Sequence, residues 1–114
     1  GSIALNTGGV EGQMFVESDW SGDACTLKLV VTNNNPVGLT NFVAQVAVTK
    51  SFSIELKPAS SSTLPPNGDG SIIQNMTVRR ITPGGQLRMK LRATYELNGA
   101  AKCIDGDCSK FPGL

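Results

Sequence analysis

Gln86 to Leu97 reads QLRMKLRATYEL, and this stretch carries the clearest structural signal in the chain. Apolar residues alternate with polar or charged residues along most of its length. Successive side chains of a β-strand point to opposite faces, so this alternation predicts a strand with one buried and one solvated face. The predicted inward residues are Leu87, Met89, Leu91, Ala93 and Tyr95, and the predicted outward residues are Arg88, Lys90, Arg92 and Thr94.

The same period of two recurs elsewhere in the chain. Phe42 to Val48 (FVAQVAV) and Phe52 to Leu56 (FSIEL) alternate in the same way. Other β-prone runs are Met14 to Val16, Cys25 to Thr32 and Ser71 to Val78, whereas Gly8 to Gly12 is expected to be a flexible lead-in. With turn residues between these runs and no 3.6-residue apolar repeat, the sequence predicts an all-β fold: an antiparallel β-sandwich of about seven or eight short strands.

Length and charge restrict the classes of function. A chain of 114 residues has the length of one domain; we expect residues 3–114 to form it and Gly1-Ser2 to be a cloning remnant. The net charge of +1 is too close to neutral for a general binder of nucleic acids or membrane surfaces. No apolar run approaches the ~18 residues of a transmembrane helix, and no signal peptide is visible. We therefore expect no nucleic-acid partner and no membrane insertion.

The residue types also restrict catalysis and metal binding. The chain has no His, which removes the usual general base and any Ser-His-Asp triad. Gly84-Gly85 is predicted to be a turn, because no Lys-Ser or Lys-Thr follows it as in a phosphate-binding loop. Asp105 and Asp107, in the run IDGDC, lack the later ligands of a calcium loop and are predicted to lie in a solvated turn. The sequence predicts no enzyme, no cofactor and no metal site.

The cysteines and a glycosylation triplet point in different directions. The odd set Cys25, Cys103 and Cys108 favours three reduced thiols over a disulfide framework, but leaves pairing of Cys103 with Cys108 open. Three thiolates without His leave a structural zinc site one ligand short. Asn75-Met76-Thr77 is an N-glycosylation acceptor, and so it favours a secreted protein.

The outward cations Arg88, Lys90 and Arg92 form what we call the basic row. Alternate side chains on a strand face lie about 6.6 Å apart, so the row is roughly 13 Å long. Like charges at that spacing repel by about 0.6 kcal/mol per neighbouring pair in water, a cost with no compensation within the strand. The row is either an ordinary solvated face that discourages edge-to-edge aggregation or a groove for an extended acidic or carbonyl-rich peptide. A four-residue extended peptide also spans about 13 Å.

The segment from Leu39 to Leu97 resembles the ear domain of γ-type clathrin adaptins, a module shared with the monomeric GGA adaptors. The resemblance covers about half of the chain. It is carried by FVAQVAVTKSF at Phe42 to Phe52, by PASSS at Pro58 to Ser62 and by LRMKLR at Leu87 to Arg92. Phe111-Pro112 resembles the Phe-Pro that closes the family domain. The resemblance implies an immunoglobulin-like β-sandwich and leaves open whether the relative is a γ subunit or a GGA protein.

The resemblance further implies that the domain binds short motifs of the form hydrophobic-Gly-(Pro/Asp/Glu)-hydrophobic. Two residues would help to form shallow apolar pockets, and four cations would form a basic rim that holds backbone carbonyls and flanking acidic residues. These residues are Ala47 and Leu56 for the pockets and Lys50, Arg88, Lys90 and Arg92 for the rim.

Alternation alone assigns some of these residues differently. It predicts Ala47 to be a small outward residue, Leu56 to be a core residue beside Phe52, and Lys50 to be a solvated turn lysine. Lys90 stands where the animal proteins usually have Arg, so the positive charge is kept without the planar guanidinium fork. Thr49 stands where they usually have Pro.

The expected partners are short linear motifs in accessory trafficking proteins, together with the rest of a heterotetrameric adaptor complex and the clathrin coat. The resemblance implies a cytoplasmic domain, monomeric in isolation, at the periphery of trans-Golgi network and endosome membranes, where vesicles form. Two alternatives stay open: a secreted immunoglobulin-like or carbohydrate-binding module, and a purely structural sandwich domain.

Overall fold

The computed structural model describes all residues 1–114, which form eight β-strands. The chain has no helix long and apolar enough to cross a membrane. The strands are β1 (Ser2–Thr7), β2 (Val10–Ser21), β3 (Ala24–Asn33), β4 (Leu39–Val48), β5 (Phe52–Leu56), β6 (Ile72–Arg80), β7 (Met89–Leu97) and β8 (Ala100–Cys108).

The strands form two sheets that enclose one apolar core. One sheet has five strands in the order β1-β2-β3-β6-β5, and the other has three in the order β4-β7-β8. Every strand pair is antiparallel. The buried apolar residues come from the inward faces of both sheets and form a single cluster. The predicted all-β fold, an antiparallel β-sandwich, is confirmed.

Strand β7 lies in the middle of the three-stranded sheet and has the predicted faces. Met89, Leu91 and Tyr95 are buried, whereas Lys90 and Arg92 are exposed. The strand pairs with β4 on one side and with β8 on the other. The alternation predicted for β4 and β5 is also present, and β5 has the predicted bounds.

The prediction of a flexible lead-in at Gly8 to Gly12 was wrong, because this run makes the turn of a β-hairpin and the first residues of β2. Gly8 and Gly9 have φ values of 61° and 78° and make the two-residue turn between β1 and β2. Such turns require positive φ at both central positions, which glycine adopts without strain. Ser2, which was predicted to lie outside the domain, is the first residue of β1 and pairs with Met14.

The prediction of a solvated turn at IDGDC was also wrong, because this run lies in β8. Asn98 and Gly99, with φ values of 53° and 77°, form a two-residue turn that returns the chain alongside β7. Asn-Gly is the preferred pair for such a hairpin. Ile104 is buried on the inward face, and Asp105 and Asp107 are exposed on the outward face.

Gly106 lies where β8 packs closely against β1, at one edge of the two sheets. A Cβ atom at this position would lie 1.8 Å from the carbonyl oxygen of Ala4 and 3.0 Å from a methyl carbon of Leu5. The first of these atoms belongs to the backbone and cannot rotate away. Only glycine therefore lets β1 pack against β8 at this distance.

The three thiols are all free. Cys103 is exposed, whereas Cys25 and Cys108 are buried. Cys103 and Cys108 lie five positions apart on one extended strand, about 16 Å, and on opposite faces. Disulfide geometry requires Cα atoms within about 7 Å, so the strand keeps this pair apart.

We expect one fast-reacting thiol in the folded protein. Burial raises the pKa of the Cys25 thiol to about 11, with the Asp19 carboxylate adding to the shift, and burial also raises the pKa of Cys108. Only the thiolate is nucleophilic, so exposed Cys103 should react first with an aromatic disulfide reagent. Cys103→Ser should abolish the fast phase, and denatured protein should titrate three thiols. A titration of one thiol in denaturant would instead demonstrate a disulfide.

We expect Gly106→Ala to lower the free energy of unfolding by about 1–3 kcal/mol, because the new methyl group must displace the β1 backbone. Urea denaturation followed by circular dichroism measures this. Cys103→Ala, at an exposed position of the same strand, is the control and should change stability by less than about 0.5 kcal/mol. Equal midpoints for the two variants would contradict the assigned packing of β1 on β8.

Candidate functional site

The outer face of the three-stranded sheet presents aligned rows of side chains, one residue from each strand. Backbone pairing fixes which residues are neighbours in each row. The rows are Ala47–Lys90–Asp107, Gln45–Arg92–Asp105 and Val43–Thr94–Cys103.

A shallow depression of about 570 Å³ lies over the first two of these rows. A second depression of about 290 Å³ extends toward Gln86 and Arg88, and the two share Lys90 and Asp107 as lining residues. Together they form a continuous open surface feature, which we call the trough. Its length follows β7, from Arg88 just before the strand to Arg92 within it.

The basic row lies along the trough as the alternation predicted. Arg88, Lys90 and Arg92 are exposed and line it, and Ala47 lies opposite Lys90 on β4. An alanine at this position leaves space on the β4 side that a larger side chain would fill. The sheet thus brings Ala47 beside the three cations, although Ala47 precedes each of them by 41 or more positions in the sequence.

The turn between β4 and β5 is tied to the Arg88 end of the trough. The Thr49 amide donates a hydrogen bond to the Arg88 carbonyl oxygen at 3.2 Å, and the Thr49 hydroxyl donates to the Gln86 carbonyl oxygen at 2.9 Å. A proline at position 49 would lack both donors. These bonds hold exposed Lys50, the next residue, at the same end of the sheet as Arg88.

At the other end of the trough, Arg92 is bound by a carboxylate. Its Nε donates to Oδ1 of Asp105 at 2.8 Å, and its Nη2 lies 3.5 Å from Oδ2. The hydrogen bond and charge of Arg92 lower the pKa of Asp105, and Asp105 in turn raises the pKa of Arg92. The side chains are 57% and 65% exposed, so solvent screens the pair and its contribution to stability is small.

The basic row has no compensating charge within β7, as the sequence indicated, but the adjacent strand β8 supplies carboxylates that the sequence estimate did not include. That estimate counted charges within one strand, and compensation comes from the neighbouring one: Asp105 lies opposite Arg92, and Asp107 lies opposite Lys90. Sequence reasoning missed both aspartates as site residues. The signal that could have identified them is the Asn98-Gly99 pair, which predicts a hairpin that sets IDGDC beside the basic row.

Leu56 lies apart from the trough. It is the last residue of β5, at the edge of the five-stranded sheet, where it pairs with Met76. Its side chain is half-buried and packs against the core, as alternation indicated. It is not among the residues that line the trough.

Comparison with known proteins identifies relatives of this chain. Residues 11–112 match the family described as the Adaptin C-terminal domain. The chain is 42% identical over 82 residues to the AP-1 complex subunit gamma-1 of Arabidopsis thaliana, covering 71% of this chain and 9% of that protein. It is 41% identical over 69 residues to the mouse AP-1 complex subunit gamma-like 2, covering 60% of this chain and 8% of that protein. The chain thus spans less than a tenth of the length of these relatives.

Two solved structures have the same fold. The GAE domain of GGA2p from Saccharomyces cerevisiae superimposes with a TM-score of 0.82 at 22% identity, covering 96% of this chain and 94% of that one. The yeast GGA1 GAE domain also gives a TM-score of 0.82, at 25% identity, covering 95% and 96%. The sandwich of two antiparallel sheets is thus the GAE fold.

We expect Arg92→Gln to raise the pKa of Asp105 toward the ordinary range of an aspartate, because the cation that stabilises the carboxylate is removed. Since the pKa is depressed in the folded state, the pair stabilises the fold above the unfolded carboxyl pKa and ceases to do so as pH falls through the folded value. A carboxyl-carbon NMR titration of Asp105 measures this. Lys102→Gln removes a cation that does not contribute to the shift and should leave the titration unchanged. An unchanged pKa in Arg92→Gln would contradict the assigned pair.

Proposed function

Because this chain belongs to the Adaptin C-terminal domain family, we propose that it recruits accessory proteins by binding short hydrophobic peptide motifs in the trough. The chain is an adaptor appendage, or ear, domain of the AP-1 γ and GGA type. The observation that carries the proposal is the trough itself: a peptide-length surface along β7, with a small apolar residue on one side and cations in its floor.

In this proposal an extended peptide lies along the trough. One apolar side chain of the motif rests on Ala47, which is the smallest of the outward side chains that β4 places beside β7. Lys90 and Arg92 donate hydrogen bonds to backbone carbonyl oxygens of the peptide, and Arg88 and Lys50 attract its flanking acidic residues. Extended peptides are commonly bound on sheets in this way, with the backbone giving affinity and alternate side chains giving specificity.

The second apolar anchor is assigned to Leu56 at the edge of β5. This strand begins directly after the Lys50 turn, and β4 and β5 lie next to each other where the two sheets meet. A peptide that lies along the trough and turns across β4 beyond Ala47 would therefore reach the β5 edge. The exposed part of the Leu56 side chain is the apolar surface that the second anchor would contact there.

Such an interface is small, so we expect an affinity of roughly micromolar or weaker. A coat that carries many copies of the domain would strengthen binding through avidity. In this proposal the longer protein belongs to an adaptor complex, acts in the cytoplasm at the trans-Golgi network and endosomes, and makes the contacts with membrane and clathrin through its other parts. The domain itself performs no catalysis.

The first test is a fluorescence-anisotropy titration with a labelled Phe-Gly-Pro-Leu peptide flanked by acidic residues. We expect saturable binding by the wild type and a loss of at least tenfold in Arg88→Glu, because the reversal replaces attraction by repulsion at the acidic flank. Arg79→Glu is the matched control. It makes the same charge change on β6, in the other sheet, and should bind like the wild type.

The outcomes separate the proposal from its alternatives. Equal losses in Arg88→Glu and Arg79→Glu would reveal a nonspecific charge effect and contradict the trough as the site. No binding by the folded wild type would favour a purely structural sandwich. Glycan on Asn75 or a disulfide, detected by mass spectrometry of the native protein, would favour a secreted module.

A further inference from the structure

Positive charge is distributed unevenly along the trough. The four salt bridges of the chain use Lys28, Lys57, Arg79 and Arg92. Arg88, at one end of the trough, and Lys50, in the β4–β5 turn near that end, therefore have no carboxylate within 4.0 Å. At the other end, Arg92 is already engaged by Asp105.

The engagement changes what Arg92 offers to a ligand. Two of its N–H donors point at the Asp105 oxygens, and a guanidinium has five. The remaining donors can bond to a neutral carbonyl oxygen. An incoming carboxylate, however, would meet an Arg92 guanidinium whose positive charge is already offset by Asp105. It would also lie beside the negative Asp105 and Asp107 side chains of β8.

We propose that Asp105 is a specificity-determining residue that polarises the trough, so that it accepts acidic residues at the Lys50–Arg88 end of a bound peptide and discriminates against them at the Arg92 end. This inference rests on the proposed function of the trough. It names the ligand class more narrowly: a motif with its acidic flank on one side only.

The test compares two labelled peptides that share the Phe-Gly-Pro-Leu core. One carries two aspartates before the core and two serines after it, and the other carries the same residues in the reverse arrangement. We expect the wild type to prefer the peptide whose aspartates lie at the Lys50–Arg88 end when it is bound. Its affinity should be roughly two- to fivefold higher than that of the other peptide, which is the range of a solvent-exposed ion pair. The difference should shrink with added salt.

Asp105→Asn should remove most of this difference by strengthening the weaker peptide, because Arg92 regains an unneutralised charge. Asp69→Asn, the same change in the exposed loop before β6, is the matched control and should keep the wild-type ratio. Circular dichroism of each variant verifies the fold.

Several results would overturn the inference while leaving the proposed function intact. These are equal binding of the two peptides by the wild type, an unchanged ratio in Asp105→Asn, or an equal gain for both peptides in that variant. Absence of binding by either peptide to the folded wild type would instead overturn the proposed function, and this inference with it.

Discussion

The register of β7 between β4 and β8 is the constraint on which the core and the site both depend. A slip of one residue in a strand moves every side chain to the opposite face. Here it would turn Lys90 and Arg92 into the apolar core and expose Met89 and Leu91. Burying unpaired charges costs several kcal/mol each, so the core fixes the register strongly. The same register sets the basic row beside Ala47 and the β8 aspartates.

Strand β8 combines a packing requirement with the electrostatics of the trough. Gly106, where a Cβ atom would overlap the Ala4 carbonyl oxygen, lies between Asp105 and Asp107. The inward face of β8 is thus held against β1 at the point where its outward face presents the two carboxylates. Asp105 therefore faces Arg92 from a backbone that is fixed by contact with the other sheet.

The sequence predicted those parts of the fold in which one strand carries the signal by itself. The alternation in β4, β5 and β7 is long and regular, and their faces were predicted correctly. Strand β8 could not be recognised in this way, because its Ala100 end is weakly patterned and its aspartates suggest a loop. Compensation of the basic row depends on which strand lies beside β7, and this is a property of sheet order, which alternation does not encode. Alternation likewise does not encode that Leu56 lies on the five-stranded sheet, apart from the basic row on the three-stranded sheet.

The three cations of the basic row differ in how freely they can respond to a ligand. Arg92 is oriented by Asp105, and the backbone of Arg88 is held by Thr49. Lys90, between them, is exposed and forms no salt bridge within 4.0 Å, although Asp107 lies opposite on β8. A lysine is a flexible point charge, whereas a guanidinium fork needs a fixed geometry. The ammonium group of Lys90 can therefore move over the centre of the trough, whereas hydrogen bonds hold the Arg92 side chain and the Arg88 backbone at its two ends.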